Sequence, residues 1–265
     1  MAGPVSLLLR RERTVILAVL VGLSVLAWGL VIWQSVTMRA PSMGGSMSPQ
    51  ASLTVGMDAA LFLAIWVAMM IAMMFPASAP MVLMFHAISA GKRQRAQTYV
   101  PTWVFLLGYL IVWSLAGVVA FAFASGLDQL ASHSPWLMAN TSGIGGVVLI
   151  ATGLYQLSPL KNSCLGKCRT PTQFIMTSWR DGYAGALRMG IEHGAYCLGC
   201  CWLLFVLLFL FGMMNIAAMA VLTVLIFAEK VLSVGRRVST IAGVALVAYG
   251  ALVVVAPGLL PVASM

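Results

Sequence analysis

Residues 191–232 read IEHGAYCLGCCWLLFVLLFLFGMMNIAAMAVLTVLIFAEKVL, an apolar run whose only acidic or basic side chains, Glu192, His193, Glu229 and Lys230, sit at its two ends. A bilayer's hydrocarbon core is about 30 Å thick and takes about 20 apolar residues per helical crossing. The run is too long for one crossing, and Phe211-Gly212-Met213-Met214-Asn215 supplies a turn in its middle. It therefore reads as two helices. Working outward, further spans are expected at 14–33, 57–85, 102–124 and 136–157 before it and at 238–255 after it, just ahead of Pro257-Gly258. The fold class that follows is all-α: a polytopic transmembrane bundle of about seven helices, with 14–265 as a single domain behind a short segment 1–13.

Composition points the same way. The 265 residues are 62% hydrophobic and 8% charged, against about 45–50% apolar and about 25% charged in a soluble domain. A water-facing globule and a disordered chain are both excluded. Lys+Arg number 15 against 6 Asp+Glu, for a formal net charge of +9. In a soluble protein that balance would suggest nucleic acid. Here the basic residues fall in short clusters between apolar runs, with no basic face interleaved with aromatics to track phosphates, so no nucleic-acid partner is expected. Arg10-Arg11-Glu12-Arg13 precedes an apolar run too long for a signal-peptide core, which reads as an uncleaved anchor. With segment 1–13 in the cytoplasm, every Lys and Arg except Arg39 falls on the inner side and the C-terminus lies outside. The outer loop is then 35–56, carrying Met38, Met43 and Met47, and the long cytoplasmic loop is 158–190, carrying Cys164 and Cys168.

Helices in lipid associate through small residues that let backbones approach. Ser142, Gly143, Gly145, Gly146 and Gly153 give the fourth helix such a packing face. No internal repeat or inverted pair of broken helices is visible, which argues against the usual design of a secondary transporter.

Two stripes carry candidate chemistry. In the second helix, Met69, Met70, Met73 and Met74 fall three or four residues apart, so several thioethers project toward one level. Thioethers suit soft ions such as Cu(I), although methionine alone is also ordinary flexible filler. Pro76 and Pro80 follow and are expected to kink the helix beyond the methionines. In the fifth helix, His193, Cys197, Cys200 and Cys201 form an i, i+4, i+7/i+8 stripe. An imidazole and two or three thiols on one helix face can hold Cu(I) or Zn(II), and such groups are costly inside a membrane unless they serve a function.

The two stripes reach overlapping depths. Met69 to Met74 lie roughly 18–26 Å from the outer end of their helix, and Cys197 to Cys201 roughly 9–15 Å from the inner end of theirs. Glu229-Lys230 closes the sixth helix and reads as an interface anchor, the pair neutralising itself or Lys230 snorkelling; Glu229 is a minor candidate to accept the second imidazole proton of His193. Asp58 and His86 read as interfacial polar residues. Cys164 and Cys168 could pass a metal to or from the bundle.

Three strings together resemble a known family: Met69-Met70-x-Ala72-Met73-Met74-x-Pro76, then Ser158-Pro159-Leu160-Lys161 before Cys164 and Cys168, then His193-Gly194-x-x-Cys197-x-Gly199-Cys200-Cys201-Trp202. The chain is similar over residues 57–237 to bacterial integral membrane proteins described as metal-binding, a domain of unknown function. The resemblance implies a multi-pass protein of the bacterial inner membrane and a bound metal.

The leading expectation is a membrane protein of metal homeostasis that binds, moves or delivers a soft metal ion, copper favoured over zinc, through His193, Cys197, Cys200, Cys201, Met69, Met70, Met73 and Met74. Its expected partners are the lipid bilayer, the ion itself and a metal donor or acceptor protein. One alternative is a membrane thiol-disulfide oxidoreductase using Cys197 and Cys200, disfavoured by cysteines placed where thiols stay reduced. Another is an assembly factor for a membrane metalloenzyme. No nucleophile elbow, phosphate loop or carboxylate pair suggests hydrolysis.

Overall fold

The structure, a computed structural model, describes residues 4–39, 53–54, 56–97 and 99–256, and within them every regular element is a helix. Met43 and Met47 of the outer loop, the side chain of Met38, and Pro257-Gly258 lie outside the described residues. The helices are α1 (Pro4–Arg39), α2 (Ala59–Gln94), α3 (Thr102–His133), α4 (Pro135–Ala139), α5 (Thr141–Leu157), α6 (Pro159–Arg169), α7 (Pro171–Ser178), α8 (Gly182–Phe211), α9 (Ile216–Val231) and α10 (Gly235–Val255).

Five of them, α1, α2, α3, α8 and α10, are long and apolar enough to cross a membrane, and α5 and α6 reach that mark only as a pair, bent by 60° at Ser158. The chain is thus a multi-pass membrane protein. The helix expected at 216–232 is present as α9, but its 16 residues extend only about 24 Å. The segment expected as a cytoplasmic loop, 158–190, is instead folded: it forms α6, α7 and the first turns of α8.

Local chemistry sets these boundaries. Asp58 caps α2 by accepting the Leu61 N–H at 2.8 Å, and Ser158 caps α6 through the Lys161 N–H, with Pro159 in the first turn. α8 stops where Gly212 takes φ +90°, a conformation that glycine adopts without the Cβ clash other residues suffer. Asn215 then starts α9 by accepting the Ala218 N–H. The expected turn at 211–215 is therefore where the chain reverses. α2 runs through Pro76 and Pro80 as one helix rather than ending near Phe85.

Glycine faces fix the pairing. Gly146 and Gly153 of α5 meet Gly250 and Gly243 of α10 so closely that a Cβ on Gly153 would stand 2.6 Å from the Gly243 carbonyl oxygen. Between α3 and α8, a Cβ on Gly108 would strike the Leu187 carbonyl and one on Gly190 the Phe105 carbonyl. α1 lies along α2, tied by Ser24 Oγ donating to the Ala72 carbonyl at 2.8 Å. α2 is the most enclosed span, with half of its apolar window buried. It forms the centre, with α3, α8 and α9 around its middle.

The ends of the bundle differ. At one end Arg93 pairs with Glu12 at 2.5 Å, Lys92 pairs with Asp181, and Arg169 donates to the Leu232 and Ser233 carbonyls at 2.8 and 3.0 Å. This basic end therefore gathers the start of α1, the end of α2, the start of α8, the end of α6 and the α9–α10 turn. At the other end Asp128 accepts the N–H groups of Leu53 and Thr54.

Candidate metal centre

The close α3–α8 crossing decides what surrounds the fifth-helix stripe. Because Gly108, Gly190 and Gly194 carry no side chains, Phe105 and Tyr109 of α3 lie directly over His193 of α8. The imidazole stacks on Phe105 (centroids 5.8 Å apart) and Tyr109 (5.6 Å), with the edge of Phe174 from α7 at 5.7 Å. His193 is 2% exposed, and neither ring nitrogen has a hydrogen-bond partner among the described residues. Leaving such a group unsatisfied in the interior costs about 1–3 kcal/mol. The acceptor considered for it, Glu229, is engaged elsewhere: its carboxylate holds Lys161 of α6 at 2.7 Å, with side chains 2% and 0% exposed.

One turn along α8, Cys197, Cys200 and Cys201 are each 1% exposed. The thiols of Cys200 and Cys201 donate to the Cys197 carbonyl at 3.0 and 2.8 Å. The Cys197 sulfur faces across to α2, where it lies 4.0 Å from the Met74 sulfur, and to α3, where the Tyr109 hydroxyl is 3.1 Å away. The two sequence stripes, read at overlapping depths, thus touch. Met69, Met70, Met73 and Met74 are all 0% exposed, and it is Met74 whose sulfur reaches Cys197.

Two basic residues depart from expectation. Lys230 does not snorkel outward: its Nζ is 2.9 Å from the Cys197 sulfur and 3.8 Å from the Met74 sulfur. Lys161 is wholly buried under α6. An ammonium inside the sulfur cluster is the feature that the pattern of charges at helix ends concealed, since a basic residue near a span terminus ordinarily extends toward water.

Cys168 was also placed differently. Its side chain, brought in by α6, packs against the buried core that contains Cys197 and Cys200. A signal for this existed in the spacing Lys161, Cys164/Leu165, Cys168, a one-faced stripe on a short helix. His86 bonds Thr102 at 3.2 Å and approaches Glu12 at 3.4 Å, at the basic end and apart from the cluster.

Three thiols of α8, one thioether of α2 and an ammonium of α9 therefore meet, with α6 packed alongside. They pack sulfur to sulfur and sulfur to nitrogen; among the described residues no three His, Cys, Asp or Glu side chains are disposed around a common metal position. All five cysteines are free. Chemically, buried polarizable sulfur of this kind suits soft ions.

No curated protein and no solved structure matches the chain. The sequence model of the PpoB2 family, described as copper chaperone, matches residues 63–253, a stretch that takes in both stripes and α6. Most of the chain lies within that match, and the protein belongs to this copper chaperone family.

Proposed function

We propose that the protein holds Cu(I) within its membrane bundle and delivers it, with Cys197, Cys200 and Cys201 of α8 and Met74 of α2 as the sulfur donors. His193 supplies an unprotonated nitrogen at the next turn, and Met69, Met70 and Met73 form a thioether reserve on α2. The observation that carries the reading is the contact of the Cys197 sulfur with both Met74 and Lys230.

Charge explains the ammonium. A cuprous ion on two thiolates bears a net charge of minus one, which a low-dielectric interior penalises heavily unless a counter-charge adjoins it. Lys230 provides that counter-charge at contact distance, while Lys161 and Glu229 neutralise each other alongside. The ammonium and the thiols fill the space now, so metal binding needs the thiols to turn onto the ion and Lys230 to withdraw by a side-chain rotation. A divalent ion on the same two thiolates would leave the site with a net positive charge, which favours copper over zinc.

The membrane arrangement belongs to the same proposal. Seven crossings, α1, α2, α3, α5, α8, α9 and α10, place the basic end in the cytoplasm and the C-terminus outside, with α9 as the shortest crossing. The site then lies in the inner half of the bilayer. Domain 14–265 acts as one unit.

Elemental analysis of the purified protein, reconstituted with Cu(I) under reducing conditions, tests the reading: about one copper per chain is expected, lost when Cys197 and Cys200 are both changed to Ser. Absence of stoichiometric copper in the wild type overturns it. Free Cys168 packed against the core that contains Cys197 and Cys200 is also what a thiol-disulfide exchange protein would need, so that reading stays as the second. Trapping free thiols in intact cells separates them, because a standing disulfide among these residues fits only the oxidoreductase.

A further inference from the structure

We infer that the cleft between α6 and the start of α10 binds the phosphate headgroup of an anionic phospholipid, held by Arg169, Arg236 and Arg237. The inference stands apart from the copper reading, since none of its residues is a sulfur donor.

The cleft arises where two paired helices part. α10 packs along α5 through facing glycines, and near the end of α5 the Ser239 Oγ donates to the Gln156 carbonyl at 3.2 Å. At Ser158, whose extended backbone precedes Pro159, the chain turns by 60° into α6. α10 meanwhile keeps its line from Ser239 back to Gly235, about one turn further. The wedge between them has a volume of about 970 Å³. Asn162 and Arg169 line it from α6, Ser233 from the α9–α10 turn, and Arg236, Arg237 and Ile241 from α10.

Charge balance singles this place out. The chain has 6 acidic side chains, and each is engaged elsewhere. Glu12 pairs with Arg93, Asp181 with Lys92, Glu229 with Lys161 and Glu192 with Arg188. Asp58 caps α2, and Asp128 holds the Leu53 and Thr54 amides. No Asp or Glu lines the cleft among the described residues, so three guanidinium groups converge there without a carboxylate. Arg169 is held in position by its Nη2, which donates to the Leu232 and Ser233 carbonyls, leaving Nε and Nη1 to a ligand. The planar guanidinium fork matches phosphate oxygens two at a time, and Asn162 and Ser233 add neutral donors. A phosphate between Arg169 and the Arg236-Arg237 pair bridges α6 to α10.

What lies beyond the arginines makes the phosphate that of a lipid. Ile241 begins a stripe with Val244, Ala248 and Leu252 along one face of α10, and all four are exposed. That face is turned away from Gly243 and Gly250, which meet α5, on a helix long and apolar enough to cross a membrane. An acyl chain lies along the stripe while its headgroup reaches the cleft, in the manner of basic pockets at the ends of membrane helices. Zwitterionic headgroups fit poorly, because a choline or ethanolamine ammonium finds no carboxylate and meets three cations.

Native mass spectrometry of the full chain, released from detergent micelles in the presence of added lipid, tests the assignment. Wild type is expected to retain dioleoyl-phosphatidylglycerol and to bind dioleoyl-phosphatidylcholine about tenfold more weakly. Arg236→Gln with Arg237→Gln is expected to weaken phosphatidylglycerol binding about tenfold. Arg11→Gln with Arg95→Gln removes equal charge outside the cleft and is expected to leave that binding unchanged. All four side chains are exposed, so neither double variant opens the core, and the comparison of the two lipids needs no variant. Equal retention of the two lipids by wild type, or equal losses in the two double variants, overturns the assignment by showing attraction without recognition. Displacement of the lipid by an equal concentration of inorganic phosphate overturns it in favour of a soluble anion. Copper loading enters none of these measurements, so their failure leaves the sulfur site standing.

Discussion

Replacing Lys161 with Met removes the ammonium from a pair whose side chains are 0% and 2% exposed and whose charged atoms are 2.7 Å apart. The Coulomb attraction at that distance is about 6 kcal/mol for an effective dielectric constant of about 20, most of it offset by the desolvation of both ions. What remains after the substitution is an uncompensated carboxylate deep in the bundle, and one Glu229 oxygen already lacks a hydrogen-bond partner. Removing one partner of a buried pair typically costs about 3–5 kcal/mol. The second arm is the double variant Lys161→Met with Glu229→Met, which leaves no buried charge unpaired and should recover most of that loss. Reversible SDS unfolding of the protein in mixed micelles, followed by tryptophan fluorescence, reads both. A single variant as stable as wild type, or a double variant no better than the single, refutes the assignment of this pair as a buried, mutually dependent tie between α6 and α9.

Lys230→Met keeps bulk and removes the counter-charge, so Cu(I) affinity measured by chelator competition should fall by about tenfold or more; an unchanged affinity would show that the ammonium does not balance the metal thiolate. Gly190→Val puts a side chain against the Phe105 carbonyl and should destabilise the fold by at least about 1–3 kcal/mol, whereas Gly143→Ala, with open space around it, should be nearly neutral in the same SDS titration. The Lys92 ammonium holds the exposed Asp181 carboxyl below the usual carboxylate range. A group depressed in the folded state stabilises above its unfolded value and loses that contribution as pH falls through the folded one, so wild type should lose an acid-side increment of thermal stability that Asp181→Asn lacks; parallel pH profiles for the two would count against the contact.

Much of this architecture is legible in the sequence because lipid leaves few options: apolar runs must become helices, glycines mark where helices touch, and Gly212 with Asn215 announces the reversal between α8 and α9. Overlapping depth permits the methionine and cysteine stripes to meet, and the packing of α2 beside α8 makes the contact. What spacing conceals is direction at helix ends. Lys230 near a span terminus has the same sequence signature whether it reaches outward to water or turns back to Cys197, because the choice depends on the neighbouring helices. Segment 158–190 looks like a loop for a related reason, since α6 is short and its burial comes from packing on α8 and α9. Its Lys161–Cys164–Cys168 stripe was the available clue. Copper itself was suggested by sulfur chemistry, and the family match supports that reading independently of the geometry.

The central claim is that sulfur atoms from separate crossings bind one cuprous ion, and X-ray absorption at the copper edge of loaded protein tests it most directly. The account predicts a Cu(I) edge with a sulfur-dominated shell that loses a scatterer when Met74, on α2, is changed to Leu. A shell of oxygen and nitrogen, or a sulfur shell indifferent to both Met74 and Cys197, would contradict it.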